Sequence, residues 1–197
     1  CRVSASTQNQ ALAAIVFLYG SVLRLPLPQV SDVAPATVPR RLPVILSESE
    51  VRSLLRQLKQ PDRLIVSLLY GSGLRIVECV SLRVKDIDVE RGEITVRQSK
   101  GNKDRRAPLA RSAVNDVERA MRSAHLLWTR DSTRDIRVTG IEGGLARKLP
   151  NAEREWPWYY VFPASRTFVD GSGIHRRHHL QESQVQRSVK IAATEAK

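Results

Sequence analysis

Apolar positions along the chain repeat with helical spacing in most segments and with strand spacing in one. Between Ser6 and Leu23, the residues Leu12, Ile15, Val16, Tyr19, Val22 and Leu23 fall on a single stripe, which predicts one amphipathic helix. A lone helix cannot bury that stripe, so partner helices are expected beside it. Arg24 to Leu46 shows no periodicity and holds five prolines (Pro26, Pro28, Pro35, Pro39 and Pro43), the pattern of an extended linker. Ser47-x-x-Glu50 has the form of a capping box, opening a helix with Val51, Leu54, Leu55 and Leu58 on its apolar face. Pro61 restarts a helix, Asp62 to Tyr70, that is apolar nearly all round (Leu64, Ile65, Val66, Leu68, Leu69) and is therefore expected in the core.

Gly71 and Gly73 then permit a sharp turn, after which Arg75 starts a helix carrying Val77, Cys79, Val80 and Leu82. Glu93 to Arg97 alternates with the period of a strand, Gly101-Asn102 supplies hairpin-turn chemistry, and Ala107-Pro108-Leu109 returns. Lys100 is thereby placed at the tip or shoulder of the hairpin. Arg111 to Trp128 predicts another amphipathic helix, with Val114, Val117, Met121, Ala124 and Trp128 inward. From Thr129 to Tyr160 the pattern breaks into polar and glycine-rich sequence, and Leu180, Val185, Val189 and Ala192 mark a last helix. The expected fold is mainly α with a small antiparallel β-sheet, an α+β chain, organised as residues 1–24, a linker at 25–46 and a larger unit at 47–197.

Charge narrows the partner. The chain's 197 residues, 42% of them hydrophobic, suffice for a real core, and 32 Lys and Arg against 20 Asp and Glu give a net +12. Such an excess points first to nucleic acid and second to an anionic membrane surface. No run approaches the roughly 18 apolar residues of a spanning helix, and the N-terminal sequence lacks the basic-then-apolar order of a signal peptide. With only Cys1 and Cys79 available, no disulfide framework is implied, and a reducing, cytoplasmic compartment is expected. His175-x-x-His178-His179 comes without Cys or a second ligand cluster, so no metal or cofactor is expected.

The stretch GSGLRIVECVSLRVKDID, followed by a strand, SKGNKDR and a return strand, resembles the first half of the catalytic domain of tyrosine recombinases. The resemblance spans roughly Ser47 to Leu109 and implies that Arg75 is the first catalytic arginine and Lys100 the catalytic lysine. Residues 1–24 are similar to the end of the helical core-binding domain in that family, which makes 47–197 the first part of the catalytic domain. The family's H-x-L-R-H box and nucleophilic tyrosine are expected beyond Lys197, so the chain is expected to be a fragment that binds DNA weakly and cleaves none.

These residues suit that chemistry. A pentavalent phosphorus builds charge on its non-bridging oxygens, which a fixed guanidinium such as that of Arg75 stabilises through paired hydrogen bonds. A lysine beside other cations has a lowered pKa and can protonate the leaving 5′-oxygen, the role of Lys100. Glu78, three residues after Arg75, is placed to hold the guanidinium. No metal is required if arginines do the work of the ion. Lys103, Arg105 and Arg106 on the hairpin, and Arg40 and Arg41 in the linker, are expected on DNA phosphates, although a solvated basic pair explains the latter two equally well.

LARKLPNAEREWPWYYVFP, a spacer and RRHHLQE resemble the additional segment of integron integrases, here an insertion over about 129–182. That resemblance implies recognition of folded single-stranded recombination sites through extrahelical bases, with Trp158 stacking on such a base, His178 and His179 nearby, and Arg176 and Arg177 on phosphates. Trp156 reads as core. The parent protein is then expected to integrate and excise gene cassettes as a synaptic homo-tetramer. Two alternatives remain: a phage-type or Xer-like tyrosine recombinase acting on duplex sites, and a non-enzymatic or truncated DNA-binding protein.

Overall fold

The computed structural model describes residues 3–26, 35–37, 45–99, 103–141 and 143–196, the side chains of 98, 99 and 103 apart. The chain divides into two compact units, Cys1–Ile45 and Leu46–Lys197. In the first, α1 (Ala5–Phe17) begins where the Ser4 hydroxyl accepts the Thr7 N–H, and it gives way to wider π-type turns over Leu18–Leu23. No residue of α1 is buried, and Ile15, Val16, Phe17, Val22 and Leu23 are exposed. The Asn9 amide exchanges two hydrogen bonds with the Ala36 backbone, at 2.8 and 3.0 Å. Most of the expected linker, with Arg40 and Arg41, lies outside the described residues.

The second unit opens with α2 (Glu48–Gln57), and its capping box forms: the Ser47 hydroxyl accepts the Glu50 N–H while Glu50 Oε2 accepts the Ser47 N–H at 2.7 Å. α3 (Asp62–Ser72) is the core helix. Leu64, Ile65 and Leu68 are at most 1% exposed, and each such burial stabilises the fold by about 1.5–3 kcal/mol. The turn after α3 is narrower than expected, because the helix runs through Gly71 and Ser72 and only Gly73 takes the left-handed conformation, at φ 61°. α4 (Ile76–Val80) then turns Cys79 and Val80 inward. Val77, carried by the same helix, is 49% exposed, since one residue along a helix rotates about 100° away from Ile76. Burial pushes the Cys79 thiol up to about 12, so it packs as a small apolar group.

The hairpin forms an antiparallel sheet of β1 (Ile87–Asp88), β2 (Glu93–Ser99) and β3 (Lys103–Pro108) in that order, with Val96 opposite Arg105 and Glu93 opposite Pro108. Ile94, Val96 and Ala107 face the core. α5 (Val114–Ser132) packs through Val117 and Ala124.

Residues 133–160, patternless in sequence, fold around a core of their own: Val138, Ile141, Ala152, Tyr159 and Tyr160 pack with Ala124 of α5. β4 (Arg137–Val138) and α6 (Gly143–Lys148) precede a 3-10 turn at Trp156–Trp158. β4 pairs in parallel with β6 (His175–His179), which pairs antiparallel with β5 (Pro163–Val169), so a second, mixed sheet joins the single antiparallel one that the pattern predicts. α7 (Glu182–Glu195) buries Val185 and Ala192, the latter against Leu54 of α2 and Leu58 just after it. The fold class is therefore as expected, mainly helical with small sheets. Among the described residues no helix is long and apolar enough to cross a membrane.

Candidate functional site

Two charge assemblies meet along one groove of the larger unit. The first grows from the start of α4. The Glu78 carboxylate accepts the Arg75 backbone N–H at 2.8 Å and the Arg75 guanidinium at 2.7 Å. It also accepts Arg105 of β3 at 2.7 Å, and Arg105 reaches the Gly73 carbonyl at 3.3 Å. Strand alternation explains the choice: Arg105 shares the inner face with Ala107, whereas Arg106 points outward to Glu93 at 3.0 Å. Glu78 is 10% exposed and Arg75 57%, so a sunken carboxylate holds one guanidinium that reaches into solvent and a second beside it. Lys100 lies outside the described residues; Lys103 lies in β3, but its side chain is not described.

Burial alone would raise the Glu78 carboxyl, but hydrogen bonds from the Arg75 backbone and guanidinium and from Arg105 outweigh it and hold the group below its ordinary value of 4.5. A depressed carboxyl stabilises the fold above the unfolded-state value and loses that contribution as pH falls through the folded-state value. Urea midpoints should therefore drop between pH 5 and about pH 3 by more in the native chain than in Glu78→Gln. Equal drops in the two would remove the electrostatic role given to Glu78.

The second assembly fastens residues 139–160 to the sheet region. Arg83, buried, donates to the carbonyls of Trp158, Thr139 (2.9 Å) and Gly140 (3.2 Å) and to the Tyr160 hydroxyl (3.3 Å), with its guanidinium 4.5 Å above the Tyr160 ring. Gly140 sits at φ 76°, which favours glycine, and a Cβ there would lie 3.1 Å from Arg83 Nη2 and from the Tyr160 hydroxyl oxygen, so that these side chains would have to give way. Backbone bonds from Val84 to Tyr159 (3.0 Å) and from Val161 to Leu82 (2.9 Å) complete the seam.

Arg83 thereby sets Trp158 beside Lys85, whose Nζ is 4.2 Å from the Trp158 ring centroid and 3.2 Å from Asp86 Oδ1. Asp86 is also held by Arg97 at 2.8 Å. Burial lowers the Lys85 pKa, against the raising effect of Asp86, and burial likewise lowers that of His179. The His178 and His179 rings lie 3.9 Å apart, with Tyr160 edge-on to His179 at 5.3 Å. Trp158, Tyr160, His178, His179, Lys85 and Glu78 share the lining of a groove of about 490 Å³. Trp156 packs instead among His125, Trp128 and Tyr159, at 4.8, 5.7 and 6.1 Å.

Arg176 and Arg177, expected on phosphates, are found in ion pairs within the protein. Arg177 is 4% exposed and makes a two-pronged pair with Asp131, with Nη2 at 2.7 Å, while also donating to the Ala164 carbonyl at 2.6 Å. The Tyr159 hydroxyl donates to the same Asp131 at 2.6 Å. Arg176 pairs with Asp170 and, at 2.9 Å, with Glu153. The Nε and both Nη groups of Arg177, and the Nε and Nη1 of Arg176, are thus directed at acceptors within the protein. Sequence reasoning missed Arg83, Lys85 and Asp131. The spacing of Arg83 and Asp86, three apart ahead of Ile87, carried a local signal, since Asp86 Oδ2 accepts the Arg83 backbone N–H across a short 3-10 turn. Among the described residues no three His, Cys, Asp or Glu side chains converge as a metal site.

The sequence profile of the phage integrase family matches residues 45–197. The chain belongs to the phage integrase family. An integrase/recombinase of Escherichia coli is 40% identical over 196 residues, 99% of this chain and 58% of that protein, and one of Pseudomonas aeruginosa matches to the same extent. The chain thus spans under two thirds of these relatives. Tyrosine recombinase XerA of Pyrococcus furiosus is 42% identical over 88 residues, 43% of this chain and 31% of that protein. The XerH site-specific recombinase bound to its difH substrate in a pre-cleavage complex has the same fold, with a TM-score of 0.57 at 15% identity over 99% of this chain and 50% of that one. Within the phage integrase family match fall both charge assemblies and the whole of the 133–160 segment.

Proposed function

We propose that the chain is part of a tyrosine recombinase that cuts and rejoins DNA by transesterification. In this reading residues 1–24 end a DNA-clamping helical domain, 25–46 link it, and 47–197 open the catalytic domain. The observation that carries it is the Glu78 carboxylate, sunken and shared, which aims Arg75 outward with Arg105 alongside. An arginine so fixed suits the equatorial oxygens of a phosphorane, and Lys100 supplies the proton to the 5′-oxygen as the tyrosine–phosphate bond forms. Glu78 acts as a positioning residue. Arg105 is restrained near Arg75, while Lys103, Arg106, Arg40 and Arg41 follow the duplex backbone.

The groove supports the integron type, in which gene cassettes are integrated and excised at folded single-stranded sites by a homo-tetramer acting in the bacterial cytoplasm. Trp158, His178 and His179 together offer an aromatic wall with a polar rim, the surface an unstacked base requires. The chain is expected to bind a bulged DNA hairpin more tightly than the matched duplex or a scrambled strand. Trp158→Ala is expected to weaken bulge binding about 5- to 150-fold, the worth of one stacked base, with the salt dependence unchanged because stacking releases no counterions. Titration at two salt concentrations checks this. Equal, steeply salt-dependent binding of all three DNAs would mean that charge alone is at work and that the segment is structural, whereas tightest binding to the matched duplex would favour a duplex-acting recombinase of the Xer kind, a reading supported by the relatives that carry that name.

A further inference from the structure

The free edges of the two sheets differ. β3, at the edge of the first, reads Lys103-Asp104-Arg105-Arg106-Ala107-Pro108, a charged strand ending in proline that discourages a further neighbour. β5, at the edge of the second, has its one proline at its first residue and leaves Ser165 to Val169 exposed, Phe168 at 46% and Val169 at 54%. A groove of about 910 Å³ keeps the first turns of α7 off the strand. The direction of the main chain follows from its neighbours, because in a strand the N–H and C=O of one residue point to one side and those of the next to the other. The Arg177 carbonyl accepts the Thr139 N–H at 3.1 Å, so the main chain of Arg177 faces β4. Thr167, opposite Arg177, therefore turns its own N–H and C=O away from β6. At the hairpin end the Asp170 N–H donates to the Ile174 carbonyl at 3.0 Å, which sets Asp170 and Phe168 toward β6 and Thr167 and Val169 toward the free edge.

We propose that β5 is a docking edge for a second copy of this chain, pairing antiparallel with that copy's β5 about a two-fold axis at Phe168. Thr167 then lies opposite Val169 of the other copy, and on either side of the axis the two exchange both of their main-chain bonds. These are the residues whose N–H and C=O face the edge. Phe168 meets its own counterpart in the closer, non-hydrogen-bonded kind of pair, aromatic on aromatic. Arg166 falls opposite Asp170, so opposite charges meet on both sides of the axis and like charges never stand directly opposed. An axis at Thr167 would instead set Arg166 against Phe168 and call on the Ser165 carbonyl, which already accepts Arg177 at 3.2 Å. So short an edge buries far less than the roughly 1,200 Å² of a stable interface, which makes the contact weak and suits it to copies already held close together. The proposal needs neither DNA nor the recombinase reading.

The test traps the register. In a Cys1→Ser background, with Cys79 buried, Phe168→Cys should give a disulfide-linked dimer on oxidation with diamide. Residues opposed in such a pair lie about 4.5 Å apart at Cα, within the span that a disulfide bridges. Arg166→Cys should link at least about tenfold more slowly, since it would stand about 14 Å from its own counterpart. Without oxidant, sedimentation velocity over rising concentration should show a monomer–dimer equilibrium. Thr167→Pro is expected to weaken it about tenfold or more, because it removes an edge donor from each copy while leaving the β5–β6 ladder intact. Phe168→Lys should weaken it too, by opposing two ammonium groups at the axis. Ile191→Lys, at a comparably exposed apolar site on α7, should leave it unchanged. Urea midpoints close to the native value in all three variants show that the fold is kept.

Linking of Phe168→Cys that is suppressed when Thr167→Pro is added to the same chain supports the proposal. Equal rates of linking in Phe168→Cys and Arg166→Cys would overturn it, since random collision would then explain both. A dimer indifferent to Thr167→Pro and to Phe168→Lys would also overturn it and place the interface elsewhere, for instance on the exposed residues of α1. A native chain that stays monomeric, together with a Phe168→Cys chain that fails to link, leaves β5 an unused edge and sinks the idea outright.

Discussion

Asp131→Ala is expected to lower the unfolding free energy of the larger unit by about 3–5 kcal/mol, because the change strands a buried charge. Asp131 and Arg177 have side chains 3% and 5% exposed. The carboxylate takes two donors from Arg177 and one from the Tyr159 hydroxyl, so its removal leaves a guanidinium and a phenol without their acceptor and out of reach of water. The Ala164 and Ser165 carbonyls still solvate part of the guanidinium but cannot neutralise it. Adding Arg177→Met should recover much of the loss, since an apolar pair of similar volume costs less than a lone charge. Urea unfolding followed by tryptophan fluorescence is well suited to the measurement, because Trp128, Trp156 and Trp158 all belong to the cluster that this pair supports. A single-substitution effect below about 0.5 kcal/mol, the usual size of a surface change, would show that the pair is not the buttress the geometry makes it.

Under the tyrosine-recombinase proposal, Arg75→Ala is expected to reduce strand cleavage by the full-length protein by about 100- to 1,000-fold, the effect of removing one preorganised donor from a developing oxyanion. Arg75→Lys should recover only part of that, because an ammonium cannot donate two parallel bonds in one plane. Stability should move little, as the side chain is 57% exposed and an exposed ion pair contributes at most about 1 kcal/mol. The split between chemistry and folding is what identifies the residue: single-turnover cleavage and the urea midpoint, measured on the same preparation, must diverge. Cleavage within threefold of the native rate would remove Arg75 from the reaction.

Much of the larger unit's scaffold was legible in the sequence for local reasons. Ser47 and Glu50 announce a helix start by their own chemistry, Leu64, Ile65 and Leu68 announce burial by their spacing, and the 93–108 hairpin by its alternation. The Arg75–Glu78 contact is likewise a matter of three positions on one helix. What could not be read is non-local. Arg177 and Asp131 lie 46 positions apart, and an arginine in the run Arg176-Arg177-His178-His179 looks like a phosphate ligand until its partner is seen. β4 has only two residues, too few to show a period, and owes its existence to β6. The exposure of Val77 could not be read either, because a five-residue helix has too few turns for its apolar positions to define a face unambiguously.

The seam at Arg83 has one further consequence. The buried guanidinium addresses residues 139–158 almost wholly through main-chain oxygens, those of Thr139, Gly140 and Trp158. Apart from Gly140, such a joint sets few demands on side-chain identity, so α6 and the sequence around it are free to diverge while the docking stays fixed. The segment behaves as an exchangeable cartridge: its outward residues can be rewritten, by mutation over generations or by grafting at the bench, to meet a different nucleic-acid shape without re-solving the fold that carries it.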